Sequence, residues 1–254
     1  MTALIRNENM KIYRRARTWV LAGITVGIQI LMAVLLLTVD AGAVDHMNDF
    51  MSMAAGVAML ATVFTVVIAG DAVASEFSWG TIKLLLIRPV KRWKILLAKY
   101  IAALMFAGFL LLLILAVSAL LGAILFGTGG TINENSSFGE IMRNYGLQAV
   151  TLIVTVTFAF TISSVFRSST LAIVLALAIL FLGSTVAGLL VALDQEWAKY
   201  LLFLNMDLSI YFNDYFVPPF PGMTLGFSVA VQLAHMVVFL VIAFTIFNKR
   251  DISF

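Results

Sequence analysis

MSMAAGVAMLATVFTVVIAGDAVA (residues 51–74), SEFSWGTIKLLLIRPVKRWKILLAKY (75–100) and IAALMFAGFLLLLILAVSALLGAILF (101–126) follow one another directly. The first and last are apolar for more than about 20 residues, the length an α-helix needs to cross a hydrocarbon core. The middle stretch is basic, with Lys83, Arg88, Lys91, Arg92, Lys94 and Lys99. A charged insert between two spanning runs belongs at a membrane face, so the chain crosses, turns at the surface and crosses back.

The whole composition agrees with that reading. Hydrophobic residues make up 62% of the chain and charged residues 11%, with a mean hydropathy of +1.06. A soluble domain has about half apolar and about a quarter charged residues, so the composition places this chain in a bilayer. A β-barrel would alternate polarity over segments of about 10 residues. Here Leu, Ile, Val, Ala and Phe run almost unbroken. The expected fold class is therefore all-α, a polytopic protein with six transmembrane helices: Thr18–Val39, Met51–Ala74, Leu96–Phe126, Tyr145–Phe166, Thr170–Leu193 and Leu225–Phe247, each to within a few residues. The first span is too long for a signal-peptide core and follows a 17-residue polar head, so it is expected to remain as a helix.

Lys and Arg resist translocation and mark the cytoplasmic side. All of them fall on one alternating set of segments (Arg6, Lys11, Arg14, Arg15, Arg17; Lys83, Arg88, Lys91, Arg92, Lys94, Lys99; Arg167; Lys249, Arg250) except Arg143 and Lys199. Asp40, Asp45, Asp49, Glu134, Glu140, Asp194, Glu196, Asp207 and Asp214 lie on the opposite side. Both termini are thus expected to be cytoplasmic, and the net charge of +3 reflects topology, not nucleic-acid binding. The absence of cysteine excludes disulfides and thiol chemistry but is compatible with any compartment.

The spacing leaves no room for a soluble domain, so residues 1–254 read as one transmembrane unit. No convincing repeat is visible, although three spans on each side of the loop at Thr131–Tyr145 permit a 3 + 3 arrangement. The surrounding GTGGTINENSSFGE (127–140) has turn chemistry and reads as a short solvated connector. The head, residues 1–17, crowds Lys11, Arg14, Arg15 and Arg17 beside Ile5, Ile12, Tyr13, Ala16 and Trp19. It is expected to be a helix in the inner interface, touching anionic lipid, or else a flank that only sets topology. The segment at 194–224 carries Trp197, Tyr200, Phe203, Tyr211, Phe212, Tyr215, Phe216 and Phe220 with Pro218, Pro219 and Pro221. It reads as short helices dipping into the outer leaflet that could cap a pathway, the alternative being an aromatic belt.

Little in the spans carries chemistry. Asp71 lies at the inner end of the second helix and His235 in the middle of the sixth. A lone histidine on an apolar helix is more often hydrogen-bonded than catalytic or metal-bound. Asp71 and Glu76 are expected to pair with nearby bases such as Lys83 or Arg88, with a proton relay as the alternative. Gly127, Gly129 and Gly130 precede no Lys, so the chain has no P-loop; nucleophile-elbow and zinc-protease motifs are also lacking. No catalytic or metal site is expected. The spans carry packing signals instead: Gly23 and Gly27, Ala54 and Ala58, and Thr151, Thr155, Thr157 and Thr161.

Within the basic insert, Phe77, Trp79, Ile82, Leu84, Leu85 and Leu86 supply an apolar surface punctuated by Gly80 and Pro89. Proline removes a donor and disfavours helix in the residue before it, so a short surface helix from about Ser78 should end near Ile87. Such an element suits docking by a partner, or anchoring in lipid.

SEFSWGTIKLLLIRPVKRWKILLAKY resembles the segment between the second and third spans of bacterial type 2 ABC-transporter permeases. RNENMKIYRRARTWV (6–20) resembles their interfacial helix and IFNKRDI (246–252) their C-terminal signature. The resemblance implies a permease subunit of an exporter in a bacterial plasma membrane. It would work as a pair, a homodimer or a pair with a related permease, above two copies of a cytosolic ATPase that hold ATP and Mg²⁺. This chain would bind no cofactor itself. Carried onto this sequence, Glu76, Phe77, Gly80, Thr81, Lys83 and Leu84 belong to the coupling helix, beside Trp79 and Arg88, and Pro89 turns the chain back toward the bilayer. The Trp197–Pro221 segment corresponds to the outer gate. No large receptor-like insert of the kind found in peptide-sensing permeases is present. The cargo implied is an amphiphilic or lipid-like compound, an antimicrobial among the candidates. The alternatives are an ion-coupled secondary transporter or channel, an intramembrane enzyme, and a non-transporting immunity protein.

Overall fold

The computed structural model describes residues 1–39, 44, 46–82, 90–128, 137–212 and 217–249. Within them the chain forms α1 (Thr2–Tyr13), α2 (Ala16–Val39), α3 (Met47–Ala54), α4 (Ala58–Asp71), α5 (Ala74–Ser78), α6 (Arg92–Leu125), α7 (Phe138–Val165), α8 (Ser169–Ala192) and α9 (Leu225–Lys249). No strand occurs among the described residues. Six helical stretches are long and apolar enough to cross a membrane: α2, α3 joined to α4, α6, α7, α8 and α9.

The spans sit within four residues of where hydropathy puts them, except at the start of the fourth. The second begins at Met47, not Met51, and passes through one tighter 3₁₀ turn at Ala55–Val57 before α4. The fourth begins at Phe138, seven residues before the expected Tyr145, which shortens the connector. Glu140, Arg143 and Asn144 are polar and so invisible to hydropathy, yet they continue the helix. The surface helix expected from Ser78 to Ile87 starts otherwise. α5 ends at Ser78, Gly80 turns the chain with φ +69°, and helix resumes only at Ile82. A left-handed residue cannot continue a right-handed helix, and glycine accepts that conformation without a Cβ clash. Lys83–Pro89 lie outside the described residues.

α7 is the centre of the bundle, packed on α4, α6, α8 and α9, while α1, α2 and α3 lie along α6. The core is built from side chains such as Val66 and Ile68 of α4, Leu96, Phe106, Leu110 and Ile114 of α6, and Val156 and Phe160 of α7. Lipid tails are as apolar as leucine, so close packing and cross-helix hydrogen bonds hold such a bundle together. The threonines of α7 supply those bonds. The Thr157 hydroxyl meets the Tyr100 hydroxyl at 2.8 Å, Thr161 donates to the Phe239 carbonyl at 3.1 Å, and Thr151 donates to the Met206 carbonyl at 3.0 Å. Ser163 Oγ accepts from the backbone N–H groups of Val73 and Ala74, both at 3.0 Å, where the break between α4 and α5 frees them. Gly183 of α8 faces the Phe203 ring so closely that a Cβ there would come within 2.5 Å of it. Gly23 and Gly27, by contrast, face open space, so they do not pack within this chain.

Contacts at each end show how the spans alternate. At the Lys/Arg-rich end, Arg15 and Arg17 reach Asp71, Ser78 Oγ donates to the Arg167 carbonyl at 3.0 Å, and Arg92 donates to the Asn248 carbonyl at 3.2 Å. At the acid-rich end, the Met47 N–H donates to Gly127 O at 3.0 Å and Gln148 Nε2 to Ala55 O at 3.0 Å.

Candidate functional site

Among the described residues, two ion clusters occupy the Lys/Arg-rich end. In the first, Glu76 of α5 accepts from Lys99 of α6 at 2.8 Å and from Lys11 of α1 at 2.9 Å, and the Thr81 hydroxyl closes on its other oxygen. Glu8 of α1 joins both lysines, at 2.9 Å each. Glu8, Glu76 and Lys99 are buried, with Lys99 only 3% exposed. Two carboxylates and two ammonium groups thus balance one another, Lys11 alone of the four reaching solvent, and mutual pairing is the condition under which buried charge is tolerated. Burial favours the neutral form of Glu76. The charge of Lys99, its hydrogen bond and those from Thr81 and Lys11 outweigh burial and bring the carboxyl down to about 2. Burial likewise opposes the charge of Lys11, but the hydrogen bonds it donates to Glu8 and Glu76 and their negative charges raise its pKa above the ordinary lysine value.

In the second cluster, Asp71 at the end of α4 is held by Arg15 at 2.6 Å, by Arg17 and by the Ser169 hydroxyl at the start of α8. Asp71 and Glu76 do pair with bases, but their described partners come from the head and from α6; Lys83 and Arg88 lie outside the described residues. The head folds as α1 along α6, so the segment expected at the interface is pinned to the bundle through Glu8 and Lys11. Charge counting along the sequence could not anticipate this, because Glu8 and Glu76 are 68 positions apart and meet only through Lys11 and Lys99.

The residues proposed for coupling therefore divide. Glu76 is a buried strut, and Thr81 is bonded to it. Phe77 packs against the core. Trp79 is 78% exposed and stands at the turn made by Gly80. Lys83, Leu84, Arg88 and Pro89 lie outside the described residues.

The outer aromatic segment is folded as three 3₁₀ turns, Glu196–Tyr200, Leu202–Asn205 and Ser209–Phe212. Phe203 meets Phe158 edge-on at 6.2 Å, and Phe220 is buried beside Ala198 and Met223. The Tyr211 hydroxyl lies 2.6 Å from Ser228 Oγ, which donates to Asn205 Oδ1 at 2.7 Å, while Gln232 donates to the Asn205 carbonyl. Trp197 and Tyr200 remain exposed, as an aromatic belt would be. Tyr215 and Phe216 lie outside the described residues. Beneath Ser209–Phe212 opens a cavity of about 890 Å³, bounded by Ala55–Thr62 on one side and by α7 from Glu140 to Leu152 on the other. Sequence reading missed it, since no single segment contains it. His235 sits with Nδ1 2.8 Å from the Val231 carbonyl and its ring 6.0 Å from Phe239. No grouping of three potential metal ligands is found among the described residues.

Comparison with known proteins places these features in a family. The chain is 39% identical over 218 residues to the uncharacterized protein YhcI of Bacillus subtilis (strain 168), covering 81% of this chain and 69% of that one. It is 31% identical over 245 residues to the uncharacterized membrane protein YdbK of the same organism, covering 96% of this chain and 99% of that one. Residues 30–253 match the profile of the family described as protein of unknown function, DUF2705. This chain is thus a multi-pass membrane protein belonging to the DUF2705 family.

Proposed function

We propose that this chain is the permease subunit of an ATP-driven exporter in a bacterial plasma membrane, with both termini cytoplasmic. ATP would be hydrolysed with Mg²⁺ on two copies of a separate cytosolic ATPase. The permease would pair with a second copy of itself and move an amphiphilic compound outward. One observation carries the reading: an exposed tryptophan at a tight turn sits directly on a rigid ion-paired strut. Trp79 and Gly80 follow Glu76 by three and four residues, and Glu76 ties α1, α5 and α6 together through Lys11 and Lys99. A push at the turn would reach several helices at once, because buried, fully paired charges resist local yielding. Asp71, the residue an ion-coupled carrier would need free, is occupied by two arginines and a serine.

The test is purification of the tagged chain from its native membrane in mild detergent, with ATPase activity measured in wild type and in a Phe77→Ala, Trp79→Ala variant. The expected outcome is a co-purifying cytosolic ATPase that the variant fails to retain. Purification of the chain with no ATPase, under conditions that keep it folded, would sink the proposal.

A further inference from the structure

The geometry points to the cavity under Ser209–Phe212 as a binding site for a single-chain amphiphile with a cationic amine head. This rests on the exporter reading only in calling the ligand a cargo; the binding itself does not depend on it. At about 890 Å³ the cavity falls within the range that small-molecule pockets occupy, about 300 to 1,000 Å³. It runs along α7 from Glu140 to Leu152, a rise of about 18 Å at about 1.5 Å per residue. Its lining mixes the charged Glu140, Arg143 and Asp207 and the polar Gln148 and Thr151 with the apolar Ala58, Met59, Leu147 and Leu152. A molecule with a charged head and an apolar tail matches that mixture.

The sign of the head follows from which charges are already met. Arg143 is one of two bases on the acid-rich side, and its charge is balanced within the wall: its guanidinium donates to Glu140 at 3.3 Å and lies over the Phe212 ring at 5.0 Å, while its buried Nε has no partner. The lining charge left over is the carboxylate of Asp207. Its Oδ1 accepts from the N–H of Ser209 at 2.9 Å and from its hydroxyl at 2.6 Å, which fixes the group in place. Its Oδ2 has no hydrogen bond or ion pair among the described residues. The wall also holds an unmet acceptor. Gln148 turns its Nε2 to the Ala55 carbonyl, leaving a buried Oε1 without a partner. An unpaired buried acceptor is costly, and a ligand N–H would relieve it. A protonated amine therefore suits the site better than an anion, and one bearing N–H better than a quaternary head.

The experiment uses the full chain in lipid nanodiscs, without ATPase or nucleotide, and measures saturable binding of radiolabelled dodecylammonium above partition into empty nanodiscs. The expected result is competition by unlabelled dodecylammonium, weaker competition by dodecyltrimethylammonium and none by dodecyl sulfate. Asp207→Asn should weaken binding tenfold or more, and Met59→Trp, which fills the cavity, should abolish it. Asp194→Asn, an acid outside the cavity, should leave binding unchanged. Asp207→Asn is nearly isosteric at an exposed position, so its result stands even if Met59→Trp fails to fold. Binding that does not exceed empty nanodiscs, or that is equal in wild type and Asp207→Asn, or competition by dodecyl sulfate, overturns the assignment. Because no ATPase is present, loss of ATPase capture and loss of amine binding are separate outcomes.

Discussion

The two ends of the bundle use the same charged groups to opposite ends. At the Lys/Arg-rich end, acids and bases from five helices pair with one another: Glu8, Lys11, Glu76 and Lys99 in one cluster, Asp71 with Arg15 and Arg17 in the other. At the acid-rich end, Glu140, Arg143 and Asp207 border a cavity whose wall holds two buried polar atoms without partners, Arg143 Nε and Gln148 Oε1. An ion-paired cluster stiffens what it joins, whereas buried polar atoms left unpaired beside open volume cost stability that a ligand can return.

The contrast breaks hardest at Lys99. Lys99→Met would leave Glu8 and Glu76 buried with only Lys11, the half-exposed partner, between them. Removing one member of a buried pair costs about 3 to 5 kcal/mol. The expected outcome is a large drop in the temperature at which the detergent-solubilised protein loses its monodisperse peak. A comparable substitution at the other end, Arg143→Met, should move that temperature far less, since its exposed pair with Glu140 is worth about 0 to 1 kcal/mol. Equal losses at the two sites would erase the distinction.

Acid titration sharpens the comparison next. The carboxyl of Glu76 lies at about 2 in the folded protein against an ordinary value of 4.5. A depressed carboxylate contributes stability that is whole above the unfolded value and is lost as pH falls through the folded one. Stability should therefore decline between about pH 4.5 and about pH 2, by up to about 3 kcal/mol from this group. Chemical denaturation followed across that window should show a flatter acid limb in Glu76→Gln than in wild type.

The smallest stability effect is expected at Trp79, which is 78% exposed. Trp79→Ala should change stability by less than about 0.5 kcal/mol, as surface substitutions do. Retention of the partner ATPase should nevertheless fall sharply, which separates the docking turn from the strut beneath it.

Much of the fold was legible along the chain. Each span announces itself by its own run of apolar residues, because membrane insertion is decided segment by segment. Phe138–Asn144 escaped that reading because polar residues extend α7 beyond its apolar stretch. Thr151, Thr157 and Thr161 were legible as packing residues, and each bonds across to another element. The short helices of the outer aromatic segment were legible too, since prolines and aromatics at that density favour brief turns over a spanning helix.

The sequence by itself determined the helical class, the six spans and the concentration of Lys and Arg on one alternating set of segments, since all three follow from local polarity. The tertiary structure alone decided which charges meet. Glu8 reaches Lys99, Lys11 reaches Glu76 and Arg17 reaches Asp71 only after α1 folds back along α6. The cavity at the other end likewise exists only where α4, α7 and the Ser209–Phe212 turn fail to close on one another. Pairing and empty volume depend on distances between segments remote in sequence, and those distances are fixed by packing.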